Sequence, residues 1–274
     1  MSAYDDVMQC VEFLRGKIGD FAPKAAIILG SGLNQLADEL EDAIRIPYTD
    51  IPGFPKPTVQ GHSGCLHFGL LNGTAVVCLQ GRSHAYEGHD QTKLAYPTRV
   101  MWALGVPLLV VTNASGSLNP EATPGNLMMI TDHINLSGVN PMSGPNDDRF
   151  GPRFFDMTNA WDKELSQVLR DCAKGLDMPL FEGTYVGVLG PNFETPAEIR
   201  AFQTLGGGCV GMSTIPEILT ASHLNGMKAV GVATMTNMGA GITGEPLNHE
   251  EVMELGLVAG KRLSLLLKDF VTKL

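Results

Sequence analysis

No apolar run in the 274-residue chain approaches the ~20 residues that a membrane-spanning helix needs, so no membrane partner is expected. Basic residues are scarce as well. Nineteen Lys and Arg stand against 29 Asp and Glu, a formal net charge of −10, and they form no cluster. Nucleic acids and anionic lipid surfaces are bound by basic faces, so neither is an expected partner. An anionic small molecule has to be held by local groups. The five cysteines (Cys10, Cys65, Cys78, Cys172, Cys209) are scattered, odd in number and free of any Cys-x-x-Cys pair. They read as reduced thiols filling a core, and no metal site is expected. The first residues, Met1-Ser2-Ala3-Tyr4-Asp5-Asp6, lack the basic and apolar regions of a secretion signal, and a cytoplasmic location is expected.

What is present is core-forming material: 44% of residues are hydrophobic and the mean hydropathy is +0.06. Strand-like runs fall at 25–29, 65–70, 74–79, 107–112, 127–131, 184–189 and 228–235. Helical patterns fall at 4–18, 33–40, 92–104, 162–176, 197–205, 216–224 and 250–273, the last opening on Asn248 as N-cap with Glu251 three residues on. The alternation predicts an α/β fold, a mixed, largely parallel twisted sheet flanked by helices. No repeat or linker divides the chain, so residues 1–274 are read as one domain. The Gly/Pro/Asn/Asp-rich stretch 137–153 reads as a long loop, which is uncommon unless functional.

Polar residues collect where strands end. The segment 190–195, Gly-Pro-Asn-Phe-Glu-Thr, closes a strand through 186–189, and Thr195-Pro196-Ala197-Glu198 then opens a helix with a capping box. Glu194 therefore sits at the carboxyl end of a strand, the edge where ligands bind in open α/β sheets. Read alone, it is either an exposed loop carboxylate or an acceptor for a ligand N–H, with Phe193 beside it for stacking. Gly30-Ser31-Gly32 lets a backbone approach an anion but lacks the third glycine of a dinucleotide fingerprint. In 81–88, an extended chain projects Arg82, His84 and Tyr86 to one side, offering a guanidinium fork to phosphate oxygens. The alternative is a solvated loop in which Arg82 pairs with Glu87. The segment 112–117 offers close backbone approach. Ser213 lies just outside a helix whose start reads as a second capping box, Thr214 to Glu217.

Taken in order, the motifs at 30–33, 61–62, 81–88, 113–116, 144–154, 190–195, 210–217, 236–237 and 248–252 resemble those of the trimeric purine nucleoside phosphorylases, over nearly the whole chain. The resemblance implies phosphate held by Ser31, Arg82, His84, Ser213 and the Ala114 amide, with His62 on a gating loop. It implies ribose contacts from Tyr86, Met212 and His249, and a purine lying against Phe193 and Val210 and bonded to Glu194 and Asn237. His84, Glu194, Asn237 and His249 are the residues it makes catalytic. Phe154 matches a residue that closes a neighbouring subunit's site in a homotrimer. Inorganic phosphate is then a co-substrate, and no cofactor is expected.

The implied reaction is reversible phosphorolysis of 6-oxopurine nucleosides or deoxynucleosides, with phosphate attacking an oxocarbenium-like sugar. A Glu194 carboxylate needs a ligand N–H, which hypoxanthine and guanine offer at N1 and adenine does not. Three other readings remain at this point. A methylthioadenosine phosphorylase calls for an Asp-type acceptor where Asn237 stands. A nucleosidase using water has no need of the anion set. A non-catalytic dinucleotide-binding module rests on Gly30 and Gly32 alone. His67, His89, His133 and His223 read as structural or surface residues.

Overall fold

Five consecutive apolar residues form β1 (Ala25–Leu29), and all five are buried, as befits a parallel strand covered on both faces. Ala26 and Ile28 pack into one apolar cluster, and Ala25, Ile27 and Leu29 into another on the opposite face. The computed structural model describes residues 2–30, 33–58, 64–244 and 249–274, the side chains of 249–254 excepted. The remaining strands are β2 (Glu41–Pro47), β3 (Cys65–Leu71), β4 (Thr74–Gln80), β5 (Leu108–Ser117), β6 (Leu127–Asn135), β7 (Leu180–Gly187), β8 (Gly207–Gly211) and β9 (Lys228–Met238). The helices are α1 (Ala3–Ile18), α2 (Gln35–Asp38), α3 (Gln91–Leu94), α4 (Tyr96–Ala103), α5 (Lys163–Gly175), α6 (Pro196–Thr204), α7 (Ile215–His223) and α8 (His249–Val271).

The strands form one sheet in the order β2-β3-β4-β1-β5-β8-β7-β6-β9, and β9 pairs back onto β5. Strands β5, β8, β7, β6 and β9 thus close into a ring, with β2, β3, β4 and β1 as an open wing. Five of the nine described pairings are parallel. This is the expected mixed, largely parallel sheet.

Helices cover both faces because their apolar residues recur at helical spacing. Helix α1 buries Val7, Cys10, Val11, Leu14 and Ile18 on one side of the sheet. Helix α8 buries Ala259, Leu263, Leu266, Leu267 and Phe270 on the other. Each such large apolar side chain contributes roughly 1.5–3 kcal/mol by leaving water. All five cysteines are free thiols, and Cys10, Cys78, Cys172 and Cys209 are core residues.

Several boundaries differ from the sequence expectation. Strand β2 was not anticipated, because it is an edge strand with mainly exposed residues and no apolar run. Strand β8, Gly-Gly-Cys-Val-Gly, escapes because glycine weakens strand patterning. The single helix expected over 92–104 is two, α3 and α4. Pro97 lies in the first turn of α4 and would clash with the Lys93 carbonyl if the helix were continuous. The expected helix at 33–40 shrinks to α2, and β7 stops at Gly187, so Val188 and Leu189 lie beyond it. The expected Asn248 cap lies outside the described residues.

The turn after β1 requires glycine for space. A Cβ on Gly30 would lie 2.7 Å from Asn113 Cα and 3.0 Å from the Thr112 carbonyl oxygen, both backbone atoms. Gly30→Ala is therefore expected to destabilise by about 1–3 kcal/mol. A thermal melt should fall by roughly 2–4 °C for each kcal/mol lost. An unchanged midpoint would contradict this close packing of β1 on β5.

Candidate functional site

A cavity of about 130 Å³ opens where β1, β4, β5, β7, β8 and β9 end. Every sequence-predicted site residue whose side chain is described, apart from Phe154, contributes to its wall. Arg82, His84, Ala114 and Ser213 line it together with Phe193, Glu194, Val210 and Asn237, and Tyr86 and Met212 line it as well. Phe154 is 89% exposed and lies on a separate surface depression with Arg153 and Met142. Ser31 and His62 lie outside the described residues, as does the side chain of His249.

Arg82 is the buried cation of this cavity, only 5% exposed. Its Nη2 donates to the Thr112 carbonyl, its Nη1 donates to Thr214 Oγ1 at 3.2 Å, and Glu217 Oε1 lies 3.7 Å from Nη1. The counter-charge is thus Glu217 on α7 rather than Glu87. Two of the five guanidinium N–H groups are spent in these bonds, leaving donors for an anion.

Residues 81–84 are not an extended strand, and Ala85–Glu87 is a 3-10 turn. Arg82, His84 and Tyr86 therefore reach the cavity through a bend, not through period-two alternation. Glu87 organises that bend. Its Oε1 accepts from the His84 backbone N–H at 2.6 Å and from Nδ1 at 3.0 Å, and its Oε2 accepts from the Thr58 amide and hydroxyl at 2.6 Å each. The carboxylate sets the histidine tautomer and ties Thr58 to the wall. Burial opposes its charge, but the bonds from His84 and Thr58 outweigh that and hold its pKa down at about 2. His84 stacks on Tyr86, ring centroids 4.7 Å apart and 15° from parallel. Burial pushes the Tyr86 phenol up to about 12, so it remains a neutral donor.

The helix following Phe193 and Glu194 begins as its sequence predicts. Thr195 Oγ1 accepts from Glu198 N at 3.3 Å, and Glu198 Oε2 accepts from Thr195 N at 2.7 Å. Burial, and then the Glu198 charge, raise the Glu194 carboxyl above its ordinary value. A carboxylate so placed gains most from a ligand N–H. Opposite it, the β5–β9 register slips by one residue between Ser115 and Gly116, placing Asn237 across from Gly116. This is a bulge of the kind that re-aims side chains beside functional sites. A Cβ on Gly116 would lie 3.1 Å from Asn237 Nδ2, so glycine leaves room for the amide. Thr236 Oγ1 donates to Asn237 Oδ1 at 3.0 Å and Asn237 Nδ2 donates to the Met238 carbonyl at 3.0 Å, fixing the amide's direction.

The second expected capping box is not formed. Thr214 has φ 73° and ψ −42° and makes no cap hydrogen bond. Its hydroxyl receives Arg82 and Asn113 instead, and Glu217 faces Arg82. The same residue pattern serves another purpose here. A β-branched residue with positive φ is a true outlier and costs roughly 1–3 kcal/mol. Thr214, Asn113, Tyr185 and Glu217 are among the residues building this site to which the sequence reading gave no binding role. Tyr185 closes the backbone of Ser213, its hydroxyl accepting from Ser213 N at 3.1 Å and donating to Ser213 O at 3.0 Å. Local patterning carries no signal for such contacts, which join distant elements. His67 bonds Gln80 and His223 bonds Asn146, structural roles in keeping with expectation.

A family model described as the phosphorylase superfamily matches residues 24–272. The chain is 48% identical over 251 residues to purine nucleoside phosphorylase 1 of Bacillus subtilis, covering 92% of each chain. It is 46% identical over 268 residues to purine nucleoside phosphorylase of Bos taurus, covering 95% of this chain and 92% of that one. Its fold superposes on the crystal structure of Schistosoma mansoni purine nucleoside phosphorylase in complex with inosine. The TM-score is 0.94 at 38% identity, over 100% of this chain and 98% of that one. A structure of the Schistosoma enzyme in complex with adenosine matches with TM-score 0.93 at 39% identity, over 100% of this chain and 99% of that chain.

The chain belongs to the phosphorylase superfamily.

For this phosphorylase-family chain, Glu87 yields an acid-stability test. A carboxylate whose folded pKa is depressed from 4.5 to about 2 contributes stability that is complete above the ordinary value and lost as pH falls through that window. Glu87→Gln should melt lower at neutral pH and lose less further stability between about pH 4.5 and pH 2 than the parent. Parallel acid-melting curves would contradict the Glu87 account.

Proposed function

We propose that the chain catalyses reversible phosphorolysis of 6-oxopurine nucleosides and deoxynucleosides, giving the free purine and the pentose 1-phosphate. One observation carries this reading. A single cavity is lined by a buried guanidinium and hydroxyl donors together with an acceptor carboxylate, a donor amide and an aromatic ring. Phosphate at the Arg82–His84–Ser213 end lies beneath the sugar, where its charge stabilises the developing oxocarbenium ion. A phosphate oxygen then bonds to C1′ while the C1′–N9 pair departs with the purine. Asn237 donates to the N7/O6 edge, where that negative charge develops, and Glu194 accepts from N1–H. Phosphate is the nucleophile, so the reading needs no cofactor.

The exposed Phe154 ring supports a homotrimer in which it closes a neighbour's cavity. Five free thiols support a cytoplasmic protein, and no described helix is long and apolar enough to cross a membrane.

Initial rates of hypoxanthine release from inosine should depend on phosphate, and phosphate-independent release would favour a nucleosidase. kcat/KM for inosine and guanosine should exceed that for adenosine, by up to ~10⁴–10⁵ where a buried polar group is left unpaired. Asn237→Ala should lower kcat for inosine on the order of 10²–10³, and Glu194→Gln should narrow the inosine-to-adenosine ratio. Equal kcat/KM values for inosine and adenosine in the parent would overturn the base reading.

A further inference from the structure

Thr214 is completely buried and sits in a conformation that threonine rarely adopts. The Ile215 N–H donates to the Ser213 carbonyl at 2.7 Å, so Thr214 is the central residue of a γ-turn of the rare positive-φ kind. Glycine takes this conformation at no steric cost, so the side chain present there is retained against a backbone preference.

That side chain has a definite hydrogen-bond arithmetic. Arg82 Nη1 donates to Thr214 Oγ1 at 3.2 Å, and Asn113 Nδ2 donates to it at 2.9 Å. The Asn113 amide is turned this way because its Oδ1 accepts from Ser115 Oγ at 2.7 Å. Guanidinium and amide N–H groups only donate, and together they occupy both acceptor positions of the hydroxyl. The Thr214 proton is left to donate, and among the described residues Ser213 Oγ, at 3.3 Å, is placed to accept it. Ser213 Oγ then accepts from Thr214, and its own proton points away from Thr214. Ser213 lines the cavity on the wall that carries Arg82. Its backbone N–H is already given to Tyr185, so the hydroxyl is the group that it can offer a ligand.

We infer that Thr214 is a positioning residue that holds the Arg82 guanidinium and orients the Ser213 hydroxyl as a donor into the cavity, so that this wall presents donors to an anion. The inference rests on the phosphate reading above. It explains why a strained threonine stands where glycine would fit: two buried donors require its hydroxyl. Thr214 touches no substrate itself. Its effect passes through Arg82 and Ser213, so its loss falls on phosphate rather than on the base.

The test compares Thr214→Val, Thr214→Gly and Thr214→Ser with the parent, using calorimetric titration of inorganic phosphate, thermal melts and steady-state kinetics. Thr214→Val keeps the branched shape and removes the hydroxyl, leaving two buried donors without an acceptor. It should weaken phosphate binding about tenfold or more, with KM for inosine at saturating phosphate changed less than twofold. Thr214→Gly relieves the backbone and also lacks the hydroxyl. It should bind phosphate as weakly as the valine variant without melting lower than that variant, which keeps the test informative if valine impairs folding. Thr214→Ser restores the hydroxyl and should bind phosphate within about threefold of the parent.

Parent-like phosphate affinity in the valine or glycine variant would overturn the role of Thr214, as would a serine variant as weak as valine. A parent protein that binds no phosphate would overturn the phosphate reading itself, and this inference with it.

Discussion

A guanidinium that is almost wholly removed from water is the constraint around which this site is built. A buried charge is tolerated only with fixed partners, and truncating one partner leaves the rest exposed to the full desolvation penalty. Arg82 follows β4, Thr112 lies in β5, Thr214 follows β8 and Glu217 lies in α7. Three separated stretches of chain must converge within a few ångströms. The close approach of Gly30, after β1, to Asn113 in β5 shows how tightly the neighbouring strand ends are drawn together. The guanidinium N–H groups left over by these bonds are thereby fixed in the cavity wall by folding itself.

Strand β5 makes that convergence possible. It pairs with β1, β8 and β9, so it belongs both to the open wing and to the closed ring. Arg82 and His84 reach the cavity from the wing side, and Ser213 from the β8–α7 junction. Phe193, Glu194 and Asn237 reach it from the ring, through the stretch after β7 and the bulge at Thr236. One strand with a slipped register thus links the elements that line the cavity. The two sets of residues also differ in chemistry. One holds donors fixed by folding, while the other holds a carboxylate that burial has made reluctant to stay charged without a donor. Under the proposed reading, substitutions in the two sets should therefore act on different substrates.

Much of this was legible in the sequence where local rules suffice. The Thr195–Glu198 capping box fixes where Glu194 stands relative to its helix, and the structure reproduces it. Apolar runs located β1, β3, β4 and β9, because buried strands must be apolar. The same rule failed at Thr214–Glu217, where an identical pattern of residue types is claimed by Arg82 and Asn113 from other elements. A side chain capable of capping also serves other partners, and only tertiary structure decides among them. Strands β2 and β8 were illegible for opposite reasons, one too polar and one too rich in glycine. Neither Tyr185 nor Asn113 carried a local signal, since each works through a partner at least a hundred residues or a strand away.

The central claim is that phosphate, held by this donor wall, is the nucleophile. Turnover of inosine with phosphate in ¹⁸O-labelled water, followed by mass spectrometry of the sugar product, tests it most directly. The account predicts ribose 1-phosphate whose C1–O oxygen comes from phosphate and carries no solvent label. Free ribose formed at the same rate whether or not phosphate is added, with solvent oxygen at C1, would contradict it.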